Sequence, residues 1–445
     1  MLGESNCLEL VHAALKACES DQAEVIIWAQ DSALTRFADS AIHQNVAEVN
    51  AMISVRAVLG KRIGVARGNQ LNADDVRGVA RRALELARVA AGDPKFVSLP
   101  EPEAYPRVRA YSEATAASTP ESRAEAIRAI AAVAATHGCR ASGAYAADKS
   151  EIAIGNSLGI RAYTPATDGS LVSVIADDDS SGYAEWRGTD IADLNVERVA
   201  GIAARKCVDG RGAQAIEPGE YAVVLEPLAV GDMVFMLGYM GMGAMAFQEG
   251  RSFMAGRIGE RLAGDNITIW DDATDERQRA MPFDWEGVAK RKVTIIENGV
   301  ARGPVYDSYT AHKEGKKSTG HAFPAPNTFG PAPTHLFLAC GAGSQTCGPG
   351  ATVDDMVAAT DRGILVTRFH YTNIVHEKQT IFTGMTRDGT FLIEGGKIAR
   401  PVKNLRFTQS IIEALSNVQM IGKDGQLVEY TYVPALKIGR FAFTS

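Results

Sequence analysis

The sequence is poor in the features that mark a function outright. Its six cysteines, Cys7, Cys18, Cys139, Cys207, Cys340 and Cys347, are spread over 445 residues without a CxxC pair, which excludes a disulfide scaffold and suits reduced thiols. Cys340 and Cys347 alone lie close together, in Gly-rich sequence that reads as a loop. Positive charge is in deficit, with a formal net charge of −7, so there is no basic footprint for nucleic acid. Long apolar runs are missing too. The longest, Met233 to Phe247, falls short of the ~20 residues a membrane-spanning helix needs, and the first residues lack the basic patch and apolar run of a secretion signal. The expectation is a cytoplasmic protein with no membrane and no nucleic-acid partner. Catalytic signatures are equally scarce: there is no GxSxG elbow, no Walker loop and no GxGxxG after a strand. Gly238-Tyr239-Met240-Gly241-Met242-Gly243 has neither spacing. Among eight histidines, the His376-Glu377 pair completes neither HExxH nor HExxxH.

What is present is regular patterning. Length alone points to two or three domains. Leu8, Val11, Leu15 and Cys18 recur at helical spacing, and 23–28 reads as a strand. From Val49 to Leu59 the odd positions are apolar, as in a half-buried strand, and Gly60-Lys61 turns it into another near Ile63. Asn72 is placed to cap a helix that carries Val76, Val79, Ala80, Ala83 and Leu84 on one face. These elements give an N-terminal α/β domain, 1–92. A proline-rich linker, 93–120, precedes a middle α/β domain, 121–212, with helices over about 121–137 and 194–207. The remainder, 213–445, is strand-rich, with strands expected at 221–225, 292–296, 335–338, 364–369, 380–386, 391–393 and 428–433, and a helix at 410–419 capped by Thr408. The fold class is α+β. No internal repeat is visible.

The polar candidates are few. Met233, Met236, Met240 and Met245 suit core filling better than soft-metal binding. The apolar strand Ile364-Leu365-Val366 runs out into Thr367-Arg368-Phe369-His370-Tyr371-Thr372-Asn373, whose polar groups fit a cleft at a strand end. His321, Arg368, Tyr371, Thr372 and Asn373 are therefore the substrate-cleft candidates. From the residues alone, the reading ends at a cytosolic α+β protein with no visible catalytic constellation.

Several long words resemble the TldD/PmbA family, also known as modulators of DNA gyrase. They are Gly363-Ile364-Leu365-Val366-Thr367-Arg368-Phe369, then Phe382 to Gly389, Leu392 to Ile398 and Pro401 to Phe407, with Val49–Gly68 and Leu84–Arg88 matching the family's first domain. In its catalytic TldD members the resemblance implies an HExxxH stretch and a C-terminal Cys as zinc site. Setting Gly241-Met242-Gly243 on the family's Gly-His-Gly places Leu237 and Met242 at the two His positions, Gly238 at the Glu, and Ile421 at the Cys. Zinc takes three protein ligands and a water, so no metal or cofactor is expected in this chain. The implied role is a non-catalytic, TldE-like subunit that pairs with a zinc-bearing, TldD-like subunit to act on unfolded or small peptides. The alternatives are a stand-alone or homodimeric hydrolase working through residues such as His321, Arg368 and Tyr371, and a peptide-binding scaffold.

Overall fold

The computed structural model describes residues 1–339 and 350–445; Cys340 and Cys347 lie outside the described residues. Helix α1 (Glu4–Ala17) buries Cys7, Val11 and Ala14. Strands β1 (Gln22–Ala38), β2 (Ala41–Leu59) and β3 (Arg62–Gly68) follow. Ile53, Val55 and Ala57 of β2 face the helices, because alternate strand residues share a face. The start of β2 runs beyond that cover, which leaves Val49 81% exposed. Helix α2 (Ala73–Val89) begins where the Asn72 side chain accepts the Asp75 N–H. The proline-rich stretch holds only the short α3 (Glu113–Ala116). Then come α4 (Pro120–Thr136), β4 (Arg140–Asn156), β5 (Arg161–Ala176), β6 (Ser181–Gly188) and α5 (Val196–Asp209). All six strands form one sheet in the order β3-β2-β1-β4-β5-β6. The segments on either side of the proline-rich stretch therefore share a sheet.

The two halves of that sheet repeat each other, a relation the sequence does not display. Gln22 opens β1 and Arg140 opens β4, a step of 118 positions (140 − 22). The same step carries the β1–β2 pair Val25↔Val55 onto the β4–β5 pair Gly143↔Ser173. It also carries the β2–β3 pair Ile53↔Gly68 onto the β5–β6 pair Leu171↔Trp186. Helices α1 and α2 correspond to α4 and α5. At the centre of the β1–β4 pairing stand Asp31 and Lys149, which are themselves related by the step and form an ion pair at 3.3 Å. One close approach recurs. A Cβ on Gly64 would lie 2.2 Å from the Ala83 carbonyl oxygen of α2, and a Cβ on Gly182 would lie 2.0 Å from the Ala203 carbonyl oxygen of α5.

The second sheet has eleven strands. It is built from β7 (Gly219–Leu225), β8 (Ile269–Asp271), β9 (Val293–Glu297), β10 (Val300–Ala301), β11 (Leu336–Leu338), β12 (Arg362–His376), β13 (Ile381–Glu394), β14 (Lys397–Pro401), β15 (Arg406–Ser410), β16 (Val418–Val428) and β17 (Thr431–Phe443). Helix α6 (Pro227–Gly241) packs on it, accompanied by the short α7 (Ala244–Gln248), α8 (Ser308–His312), α9 (Val353–Ala358) and α10 (Ile411–Ser416). Three expectations are corrected here. The strands expected at 380–386 and 391–393 are one continuous β13. The strand expected at 428–433 is instead the β16–β17 hairpin, turning at Glu429 with φ 51°. Helix α10 is capped by Ser410, since Thr408 lies within β15. No helix among the described residues is long and apolar enough to cross a membrane. Together the helices and the two sheets make an α+β fold.

The sheets meet through the face of the first one that its helices leave open. Ile26, Ile152 and Ile154 pack against Phe283, with Trp285 beside them. Next to this contact, Arg56 Nη2 reaches Glu24 Oε2 at 2.6 Å within its own sheet and Glu286 Oε1 at 3.3 Å across the junction. Burial pushes the Glu24 carboxyl up, against the pull of Arg56. Burial also opposes the Arg56 charge, but Glu24 and Glu286 outweigh it and raise the guanidinium further. On the far side Lys206 Nζ, from α5, bonds Glu226 Oε2 at 2.5 Å and Thr367 Oγ1 at 2.8 Å.

Two outcomes follow. Gly64→Ala and Gly182→Ala each push a methyl group into helix backbone that cannot give, so each lowers stability by about 1–3 kcal/mol or more in chemical denaturation; wild-type midpoints would refute the close approach. Arg56→Met leaves two buried carboxylates without their cation and costs about 3–5 kcal/mol, and a loss under 1 kcal/mol would mean that the junction does not rest on this pair.

Candidate functional site

Helix α6 starts at Pro227, whose fixed φ and missing N–H suit a first helical position. Its inward side is wholly apolar. Leu237 and Met242 are completely buried, Ile421 of β16 is 4% exposed, and all three belong to one core cluster with Met233, Val234, Met240 and Leu336. Gly238 is closed off as well, because a Cβ there would lie 2.7 Å from Leu336 Cδ1 and 3.4 Å from Pro333 Cγ. The four positions hold no side chain able to ligate zinc and no room for a base, so they do not fit a catalytic zinc site. Among the described residues, a group of three His, Cys, Asp or Glu side chains with ligand atoms within 4.8 Å of one another occurs at Cys139, Asp177 and Cys207, in a different part of the fold.

The outward side of α6 is different. It presents Asp232, Phe235, Met236 and Tyr239, residues that are half-buried or exposed. Phe235 stacks on Tyr430 with ring centroids 6.1 Å apart, and Tyr239 stacks on Phe329 at 5.1 Å. Above the start of this helix, β12 leaves the core at Arg368. The Arg368 guanidinium places Nε 2.7 Å and Nη2 2.5 Å from Asp388 Oδ2. Its Cζ lies 4.2 Å from the Tyr183 ring centre, a cation–π contact. Ser181 Oγ donates to the other Asp388 oxygen at 2.5 Å. The Tyr183 hydroxyl bonds Glu185 on the same strand, β6, and Arg187 pairs with Glu429 at 3.3 Å.

Asp232, Glu185 and Glu429 thus sit around Arg368, where β6, α6, β12 and the β16–β17 turn converge. Burial raises the Asp232 carboxyl to about 7; Arg368 opposes the rise while Glu185 and Glu429 add to it. Glu185 is likewise pushed up, first by burial. A carboxyl held near neutrality beside a cation, between two sheets, is the kind of perturbed group that marks a binding or reacting surface. Arg368 was the one member of the cluster singled out from sequence. Asp232 carried a usable signal, being the lone charge between Pro227 and Phe247, whereas Glu185, Glu429, Tyr183 and Asp388 carry none that spacing reveals.

The other cleft candidates fall in two places. Tyr371 is 78% exposed, with Thr372 and Asn373 beside it on the outer half of β12. Tyr371 has φ 55° at a break in the β12–β13 pairing, beyond which Ile374 still packs on the core while Tyr371 and Asn373 face outward. His321 is 2% exposed and belongs to a closed network instead of an open surface. Its Nε2 lies 2.8 Å from Asp271 Oδ1 and its Nδ1 2.9 Å from Thr319 Oγ1, while Asp271 Oδ2 accepts the His335 N–H at 2.7 Å. Burial, reinforced by nearby Lys290, holds His321 down, and the same two causes bring His335 to about 3. Burial acting alone would raise Asp271, but the histidine side and Lys290 outweigh it and keep the carboxyl well below its usual range. Both Asp271 oxygens thus have a partner inside this closed network. The network ties the loop at 319–321 to β8.

Comparison with known proteins agrees with this architecture. The sequence model of the PmbA/TldA metallopeptidase C-terminal domain matches residues 218–445. A metalloprotease TldD homolog of Haemophilus influenzae is 25% identical over 446 aligned positions, covering 90% of this chain and 88% of that one. An uncharacterized protein of Methanocaldococcus jannaschii is 41% identical over 101 residues, 22% of this chain and 24% of its own length. Against that protein and two metalloprotease relatives the match spans 24%, 36% and 49% of their lengths, so the chain aligns with half or less of these curated relatives. The crystal structure of TldE from Thermococcus kodakarensis superposes with a TM-score of 0.88 at 20% identity, over 99% of this chain and 100% of that one, which establishes a shared fold. On the match across its C-terminal half, the chain belongs to the PmbA/TldD metallopeptidase family.

Proposed function

We propose that this chain is the non-catalytic, TldE-like subunit of a heterodimeric zinc metallopeptidase that acts on unfolded or small peptides, the zinc and the hydrolytic chemistry residing in a TldD-like partner. The observation that carries this reading is the apolar packing of Leu237, Met242 and Ile421 around a Gly238 that has no space for a side chain. Side chains at these positions are part of the apolar core, which supports a chain without its own catalytic zinc. The chain's own contribution is then to bind and enclose. The carboxyl groups of Asp232, Glu185 and Glu429, set beside the aromatic pairs on α6, suit an extended peptide bearing a positive group and apolar side chains. Strand β6 lies at the edge of its sheet, and the part of that edge beyond the Glu185 carbonyl, which accepts from Gln426 at 3.4 Å, can receive such a peptide by backbone pairing. One observation favours the rival reading of an independent hydrolase: Asp232 is held near 7, where a general acid works best.

Purified alone, the chain is expected to hold no zinc and to cleave no peptide. Mixed with a TldD-like chain from the same genome it should form a complex with about one zinc, at the partner's three-ligand site, and show chelator-sensitive activity. Turnover by the isolated chain that survives chelators and disappears in Asp232→Asn would replace this reading with the rival.

The Asp232 environment has its own test. A carboxyl raised in the fold is destabilising when ionised: the cost is absent below the unfolded value near 3.8, grows as pH rises to about 7, and is constant above. Asp232→Asn does not titrate, so its stability relative to wild type should climb across that window. The ceiling is about 4 kcal/mol, at ~1.4 kcal/mol per unit. A difference that stays flat between pH 4 and 8 would show that Asp232 is solvated as an ordinary surface acid.

A further inference from the structure

The sheet repeat places two cysteines from different elements side by side. Cys139 ends the turn between α4 and β4, and Cys207 lies in the last turn of α5. Their sulfurs are 3.6 Å apart, though the residues are 68 positions apart in sequence. Neither is open to solvent: Cys139 is 7% exposed and Cys207 is fully buried. Asp177, from the loop after β5, closes the group with an oxygen 3.9 Å from Cys139 Sγ. Arg211 covers it, with Nε 2.7 Å from Asp177 Oδ2 and Nη2 3.5 Å from Cys139 Sγ. Nη2 also donates to the His137 carbonyl at 3.0 Å. The Cys207 sulfur contacts Ser180 Oγ at 3.4 Å and the Ser180 carbonyl at 3.5 Å.

We infer that Cys139 and Cys207 form a reversible, peroxide-sensitive dithiol, with Cys139 as the attacking sulfur and Cys207 as the resolving one. The two sulfurs are at van der Waals contact and need to close by only about 1.5 Å to reach bonding distance. Their positions differ in the way the roles require. Cys139 lies beneath Arg211, whose side chain is 41% exposed, so it is the nearer of the two sulfurs to the surface, and the guanidinium faces the charge that the reaction moves. Cys207 lies deeper, and burial pushes its thiol up to about 11, which keeps it protonated until a sulfur electrophile is adjacent. The Cys139 sulfur attacks one oxygen of hydrogen peroxide, the O–O bond breaks, and the departing oxygen leaves as water with the Cys139 proton, so that a sulfenic acid remains. The Cys207 sulfur then attacks the Cys139 sulfur, the S–S bond forms, and the sulfenic hydroxyl leaves as water with the Cys207 proton. In total two thiols are oxidised by loss of two hydrogens, and one peroxide is reduced to two waters.

The same three side chains could be read as a metal site. The guanidinium argues against it: Arg211 already occupies the cation's place on Asp177, where backbone N–H groups of Asp179 and Ser180 and the Arg211 bond overcome partial burial to hold the carboxyl at about 2. The bond would also have reach. Lys206, next to Cys207 in the same turn of α5, makes the contacts to Glu226 and Thr367 that tie this helix to the second sheet, and Thr367 directly precedes Arg368.

The test is peptide mapping of the full chain after hydrogen peroxide treatment under native, metal-free conditions. A linked pair of peptides carrying Cys139 and Cys207, two hydrogens lighter and separated by thiol reductant, is expected. Cys207→Ser should stop at a sulfenic acid on Cys139 that a dimedone-type reagent traps, and Arg211→Ala should slow wild-type disulfide formation by roughly tenfold, a modest electrostatic effect. The inference is overturned if both thiols remain fully alkylatable after denaturation of the peroxide-treated protein. It is equally overturned if the purified chain carries stoichiometric zinc that Cys139→Ser removes, which would make the group a metal centre.

Discussion

Holding two independently built sheets in one orientation requires a directional contact, since apolar packing alone tolerates sliding. Arg56 supplies it. The residue grows from β2, bonds Glu24 on the neighbouring strand, and reaches Glu286 in the loop before β9; Glu286 in turn accepts the Ser308 N–H at the start of α8. Removing these charges from water is costly, and the cost is offset only if the geometry is kept. The arrangement therefore resists both separation and shear. Nearby Asp284 is pushed up to about 7, first by burial and then by Glu286, so the junction carries more carboxyl groups than cations. With the first sheet fixed in this way, β6 is brought to the start of α6, and Lys206 holds the opposite side. The acid cluster around Arg368 exists because both junctions hold.

The same economy shows in the treatment of α6. A helix of this kind could instead carry polar side chains on its inner face and leave a damp, poorly packed pocket. This one has large apolar side chains at three positions and a glycine at the fourth, filled from the opposite side by Leu336. Close packing of this kind is as sensitive to enlargement as to loss. The inner face is consequently committed to stability, and whatever recognition α6 performs must be carried by its outer face.

Much of the fold was legible because local rules were obeyed. The alternation in β2, the Asn72 cap and the position of α4 all come from side chains acting on their own backbone. The misses arose where tertiary context decides. Val428 to Val433 has strand composition, yet the chain reverses at Glu429 because β16 and β17 must pair in register. Ser410, not Thr408, caps α10 because Thr408 is engaged in β15. The repeat was invisible because backbone pairing and the close approach at Gly64 and Gly182 carry its geometry, while the side chains between differ and fill different cores. At the site, Arg368 stood out as a cation leaving an apolar strand, but its carboxyl neighbours come from four separate elements that only the folded chain unites. The burial of His321 was hidden for a related reason: a histidine between small residues looks available, and burial is decided by what folds over it.

Asp232 brings these threads together. A helix with one charge in an otherwise uncharged run gains nothing in stability from that charge, and here the fold bears a cost for it, since burial holds the carboxyl near 7. An asparagine would fill the same volume without that cost, and groups perturbed in this way cluster at functional sites. The acid is not retained to neutralise Arg368, because Asp388 already does so with two short contacts. Nor does it complete a compact metal group with Glu185 and Glu429 of the kind found at Cys139, Asp177 and Cys207. What remains is an unfilled electrostatic demand on the outer face of α6, beside stacked aromatic rings and an edge strand. On the peptide-binding role proposed above, a cationic, extended ligand would meet all three features at once, and its binding would lower the very carboxyl that burial has raised.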